Sequence, residues 1–176
     1  VGSEMCIRDR IATCDYDAVI ITYSQFTKIP ISESFQEKYI KKQLNELENL
    51  TEEARQNRFG RNGEIRGLEA AKKRLKVQLS KLRDQKNKDD TIYFEQLGIT
   101  KLYVDEAHNF KNLFINTKMN NLAGLNTSVN SKRAFDMFLK CRYLDETNER
   151  KSIVFLTGTP VSNSMAEIYT MQRYLQ

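Results

Sequence analysis

Three apolar runs, each closed abruptly by polar residues, constrain this chain more than its overall composition does. Val19–Ile21 in DAVIITYSQF, Leu102–Val104 in ITKLYVDEA and Ile153–Leu156 in SIVFLTG are continuous rather than alternating. Continuous hydrophobicity predicts strands buried on both faces, as parallel sheets require. Two of the runs end in chemistry. One stops at the adjacent carboxylates Asp105 and Glu106, followed by Ala107 and the only histidine, His108; the other stops at Thr157, Gly158, Thr159 and Pro160.

Between the first two runs the period changes. Ile40, Leu44, Leu47, Thr51 and Ala54 recur at helical spacing, as do Leu68, Ala71, Leu75, Gln78 and Leu82, with Gly60, Asn62 and Gly63 between them as breakers. This pattern predicts an antiparallel, coiled-coil-like helical hairpin inserted over 33–90, with Ser32 or Ser34 as its N-cap. The second arm is strongly basic and the first close to neutral. Lys72, Lys73, Arg74 and Lys76 form either a solvated face or a contact for nucleic acid or a partner.

Further on, NTKMNNLAGLNTSVNS reads as a long polar loop. SKRAFDMFLKCRYLDE reads as an amphipathic helix capped by Ser131, with Ala134, Phe138, Cys141 and Leu144 inward. SNSMAEIYTMQRYLQ reads as a last helix whose apolar residues are Met165, Ile168, Tyr169, Met171 and Leu175. The order strand, helical insertion, strand, helix, strand, helix is an α/β pattern with a mostly parallel sheet.

Composition sets the outer bounds. The 176 residues suffice for one domain with a core, and no apolar run approaches the roughly 18 residues of a membrane span. Cys6, Cys14 and Cys141 are scattered without metal-ligand spacing, which fits a reducing cytoplasm and neither a disulfide framework nor a zinc site. A net charge of +5 permits a polyanionic partner without demanding one. The opening VGSEMCIRDR follows no structural period and looks like translated sequencing-adapter DNA, so residues 1–10 are set aside from the fold.

In an open parallel sheet, ligands bind beyond the carboxyl ends of the strands. Both chemical stretches are therefore expected along one rim. Adjacent carboxylates at a strand end point opposite ways and divide labour: one holds a hard cation such as Mg²⁺, the other orients and deprotonates a water. Phosphoryl transfer asks for that combination, because its catalysis is mostly positioning and charge neutralisation.

Asp105-Glu106-Ala107-His108 resembles the DEAH form of motif II in superfamily-two helicases and translocases. LTGTPVSNSMAEIYTMQRYL resembles motif III and the following helix of the Swi/Snf-like branch, with Asn163 after the Thr-Gly-Thr-Pro, and Lys111 and Asn112 in HNFKN fit the same branch. DYDAVIITYSQF is similar to a DNA-touching strand and loop of the first lobe. More narrowly, the ensemble is similar to helicase-like proteins of phages, plasmids and conjugative elements, often fused to an adenine-specific DNA methyltransferase.

That resemblance implies a partial RecA-like lobe over 11–176 whose ligands are ATP, Mg²⁺ and duplex DNA. Asp105 would hold Mg²⁺ and Glu106 would be the general base. His108, Thr157, Gly158 and Thr159 would couple nucleotide state to DNA grip. Thr22 and Ser24 are either backbone-phosphate contacts or hydroxyls that merely end a strand, and Lys111, Asn112 and Asn163 are further DNA candidates.

No G-x-x-x-x-G-K-[ST] loop occurs in the chain, and the second lobe with its arginine finger is expected elsewhere in the parent, so the fragment alone is expected to be inactive. Two rival readings stay open: an RNA-directed DEAH-box helicase, and a non-enzymatic hairpin interaction module on an inactive α/β platform.

Overall fold

The two downstream apolar runs pair as parallel strands, β1 (Leu102–Val104) and β2 (Ile153–Phe155), with Leu102 opposite Ile153, Tyr103 opposite Val154 and Val104 opposite Phe155. The computed structural model describes residues 10–56, 62–83, 92–113, 131–148, 151–162 and 164–176. The long Asn-rich loop, Asn163 and the first nine residues lie outside them. Around the sheet run α1 (Tyr23–Phe26), α2 (Glu33–Gln56), α3 (Asn62–Arg83), α4 (Lys132–Thr147) and α5 (Ala166–Tyr174). The fold is α/β and mostly helical, with a small two-stranded parallel sheet.

The expected first strand is not paired. Residues 18–22 form neither helix nor strand and, among the described residues, pair with no neighbouring strand. Ile20 is 99% exposed and Val19 also faces out, while Ile21 alone leans on the core. An apolar run reports a capacity for burial but does not name the strand beside it. Here the segment ends at Thr22, which caps the four-residue α1: its hydroxyl accepts from the Gln25 N–H and the Gln25 side chain accepts from the Thr22 N–H.

One face of the sheet is covered. Val104 is buried, with Leu102, Ile153 and Phe155 packed inward against Ala134, Met137, Phe138, Cys141 and Leu144 of α4 and against Tyr174 of α5. Tyr174 is fully buried, and its hydroxyl lies 2.9 Å from the Phe110 carbonyl and 3.1 Å from that of Ala134. The other face carries Tyr103, Val154 and Leu156, all exposed.

α4 serves two cores. The residues expected to point inward do so, and Phe135 and Leu139 on its flank are buried as well, against Ile31, Ile40, Leu47, Leu68 and Leu75. Those are the base and seam of the α2–α3 pair. Arg55 meets Glu69, Lys72 meets Glu48 and Arg83 meets Glu37, so the two helices run antiparallel. Arg83 and Lys41 hold the Glu37 carboxyl below its usual range, and Lys72 does the same for Glu48. The Ser32 hydroxyl accepts from the Phe35 N–H at 3.2 Å, and the Glu95 carboxylate receives the Ser32 N–H at 2.9 Å, which ties the start of the pair to the segment leading into β1.

α5 turns the other way from its apolar pattern. Glu167, Thr170 and Tyr174 are buried, whereas Met165, Ile168, Tyr169 and Leu175 are exposed. Glu167 is drawn in by a cationic partner, described below. Among the described residues no helix is long and apolar enough to cross a membrane.

Candidate functional site at the strand ends

Both carboxyl ends of the parallel pair lead into the residues singled out from sequence. The ladder continues past β1, since Leu156 N–H donates to the Val104 carbonyl (2.8 Å) and Ala107 N–H donates to that of Leu156 (3.0 Å). To make the second bond the chain folds at once into a 3-10 turn, Ala107–Phe110. The residue at the fold is Glu106, whose backbone is left-handed (φ 47°, ψ 45°), the only described non-glycine residue with positive φ. That conformation costs a non-glycine residue roughly 1–2 kcal/mol. Asn109 offsets the cost, donating both its backbone N–H (3.1 Å) and its side-chain amide (3.0 Å) to the Glu106 carbonyl.

The turn brings His108 between the two strand ends. Its Nδ1 lies 3.1 Å from Glu106 Oε2 and 3.2 Å from Thr157 Oγ1. A carboxylate only accepts, so a proton on Nδ1 serves the Glu106 contact. Thr157 Oγ1 in turn accepts from the Thr159 N–H at 3.2 Å. Glu106, His108, Thr157 and Thr159 thus form one chain of polar contacts across the rim. Asp105 is exposed beside it, its Oδ1 accepting the Glu106 N–H at 2.9 Å. At Gly158 an added Cβ would meet nothing within 4 Å, so its smallness is not demanded by this chain's own packing.

Lys111 does not reach outward. Its ammonium donates to the Ser162 hydroxyl and lies 3.0 Å from Oε1 of Glu167, a carboxylate only 4% exposed. Glu167 also receives the Ser162 N–H at 2.7 Å and its hydroxyl at 3.2 Å. In this structure Lys111 straps the Thr157–Ser162 loop between the 3-10 turn and α5. Asn112 is exposed, and Asn163 lies outside the described residues.

The remaining candidates are placed apart from this cluster. Thr22 and Ser24 are exposed, their hydroxyls 2.9 Å apart at the start of α1. Lys73, Arg74 and Lys76 lie exposed on α3, but Lys72 is taken up by Glu48 at 2.6 Å. Sequence reasoning passed over Asn109, Glu167 and Arg133. Asn109 acts locally on the Glu106 carbonyl, Glu167 meets Lys111 from far along the chain, and Arg133 stacks on Tyr23 and Phe110 from the start of α4.

The donor set fits a hard cation of one kind. Among the described residues no group of three or more His, Cys, Asp or Glu side chains forms a metal cage. Mg²⁺ needs none, since it is held by one or two carboxylates with water and substrate phosphates, and the exposed Asp105 at the strand end would be the residue to supply the protein's share.

Residues 3–176 match the profile of a family described as "Probable helicase domain". Over 158 residues the chain is 29% identical to the "Defense against restriction protein B" of Escherichia phage P1, which covers 89% of this chain and 7% of that protein. The chain therefore spans a small part of that relative's length. No solved structure matches.

If Lys111 is a strap, Lys111→Met leaves Glu167 without its cation in a buried position. Chemical unfolding is expected to show a loss of about 1–3 kcal/mol, partly recovered by adding Glu167→Gln. Unchanged stability in Lys111→Met would contradict the strap.

Proposed function

We propose, from the premise that this chain belongs to the probable helicase domain family, that it is part of the first RecA-like lobe of an ATP-dependent DNA translocase of Swi/Snf-like type. One observation carries the reading: His108 bridges Glu106 and Thr157 across the ends of two parallel strands, at 3.1 and 3.2 Å. A structural turn has no need of a carboxylate in left-handed backbone, an imidazole and a threonine hydroxyl in sequence along one rim. Strain of this kind is concentrated where function holds a residue in place. The likeness to a phage protein named for defence against restriction supports a parent carried by a phage or another mobile element.

In this mechanism Asp105 would hold Mg²⁺. Bound Mg²⁺ and ATP would supply the electrophilic phosphorus and neutralise its charge. Glu106 Oε takes the proton of the attacking water and orients that water for in-line approach. His108, fixed to the same carboxylate, senses its state and passes it to Thr157. Through Thr159 and the loop strapped by Lys111, that change reaches the surface that grips DNA. Gly158, unconstrained by the chain's own packing, leaves room for close approach of a ligand or of another part of the parent.

The bare face of the sheet agrees with this assignment. Parallel sheets are covered on both faces, and Tyr103, Val154 and Leu156 offer apolar surface for a further layer from the parent. Thr22 and Ser24, with two adjacent exposed hydroxyls, are suited to a backbone phosphate. On α3, the exposed Lys73, Arg74 and Lys76 are the more accessible part of the basic arm.

In a full-length parent, Glu106→Gln is expected to retain ATP binding and lose DNA-stimulated turnover by 10²-fold or more. Turnover within a few-fold of the unmodified enzyme would remove Glu106 as the base. Replacing Lys73, Arg74 and Lys76 by Gln is expected to flatten the salt dependence of DNA affinity by up to about 0.9 in log–log slope for each phosphate that is no longer neutralised. An unaltered slope would leave the arm as a solvated face.

A further inference from the structure

One cation outside the strand-end cluster grips the turn that carries the acidic pair, and the mechanism above leaves it unused. Arg133 is the second residue of α4, exposed beside an equally exposed Lys132. Two cations in the first turn of a helix oppose its macrodipole, and no acidic residue stands there to offset them. The placement is therefore unfavourable for α4 itself. Its favourable contacts are with two rings: the guanidinium carbon lies 5.2 Å from the centre of Tyr23 and 5.0 Å from that of Phe110. Those rings meet edge-on, with centroids 5.2 Å apart and planes at 74°, so they form a corner that the cation occupies. A weakly hydrated guanidinium suits such a corner better than an ammonium, which holds its water more tightly.

Phe110 is what makes the corner matter. It is fully buried, and it ends the 3-10 turn that opens directly after Glu106. Its carbonyl is held from α5, 2.9 Å from the Tyr174 hydroxyl, while its ring is held by Tyr23 and Arg133. At the other end of the same turn stands the left-handed Glu106, with His108 between them bridging to Thr157. A non-glycine residue keeps that backbone conformation only while its surroundings hold it there. The attraction of one cation for two ring faces is of the same order as the backbone cost at Glu106. Its loss therefore changes how much of the time the turn keeps its shape.

We infer that Arg133 is a positioning residue for Glu106: by clamping the Phe110 ring against Tyr23 it holds the 3-10 turn closed, and so keeps the Glu106 carboxylate and His108 aligned with Thr157. The inference rests on the reading of Glu106 as the base. It requires no ligand at α1 and no contact between Arg133 and the nucleotide.

The test compares Arg133→Gln and Arg133→Lys in the full-length parent, beside Glu106→Gln. Amide hydrogen exchange across the 3-10 turn, melting temperature, and the ATP dependence of DNA-stimulated turnover are read separately. Because Arg133 is exposed and opposes the helix dipole, the melting temperature is expected to change little. In Arg133→Gln, exchange across the turn is expected to quicken about fivefold and kcat to fall by about the same factor, with KM for ATP unchanged, as the loss of one cation–ring attraction implies. Arg133→Lys keeps the charge and is expected to fall between. Unchanged exchange or unchanged kcat in Arg133→Gln would overturn the inference, as would a raised KM with kcat intact, which would put Arg133 on the nucleotide instead. Full turnover in Glu106→Gln would remove the base assignment and the inference together. Lost turnover in Glu106→Gln with normal Arg133 variants would remove the inference alone.

Discussion

Parallel pairing of two three-residue strands governs everything else in this molecule. Because Leu102, Tyr103 and Val104 lie opposite Ile153, Val154 and Phe155, both chains emerge at the same rim and in step. The pairing does not stop where the strands do, since Leu156 binds Val104 and then Ala107. A slip of either strand by one residue would turn its own inward side chain, Val104 or Phe155, out of the core and separate Glu106 from Thr157. Backbone register thus sets both the burial and the chemistry. The left-handed Glu106 is the local cost of turning sharply after Asp105, offset by the paired donors of Asn109.

Behind the rim, α4 acts as the shared wall. One side closes the sheet's core, the other receives the α2–α3 pair, and both faces are therefore apolar. Lys140 is an exception that explains itself. Fully buried, it donates to the Phe26 carbonyl (2.9 Å) and to Asp136 (2.7 Å), and its ammonium sits 4.2 Å from the centre of the Phe26 ring. Desolvation lowers the lysine and raises the aspartate, and their mutual attraction opposes both shifts. A buried pair with further hydrogen bonds is a device for fixing position more than for adding stability. Here it fixes the end of α1 and so the turn bearing Thr22, Tyr23 and Ser24.

What the sequence disclosed follows from what each signal measures. Helical periodicity found α2, α3 and α4 because one-sided burial leaves a repeat, and Ser131 found the start of α4 because its hydroxyl accepts from the Ala134 N–H. It did not find that Phe135 and Leu139 are buried, since that depends on where the hairpin base docks. The run Val19–Ile21 promised a strand, but strand identity requires a neighbour, and none of the described residues pairs with it. For α5 the apolar residues misled: Glu167 lies inside because Lys111 meets it there, a contact between residues far apart in the chain. The acidic pair and the threonine turn were legible as chemistry at strand ends. The His108 bridge between them was legible only as resemblance, because no spacing rule places an imidazole across two strands. Tyr23 and Arg133 left no linear signal at all.

The proposed translocase mechanism requires the two strand ends to act as one unit. The most direct measurement is a double-mutant cycle on DNA-stimulated turnover in a full-length parent, with His108→Ala, Thr157→Val and both together. If His108 transmits the state of Glu106 to Thr157, the second substitution adds little to the first, and the double variant turns over about as fast as the slower single one. Losses that multiply, each substitution acting independently of the other, would contradict a shared relay across the rim.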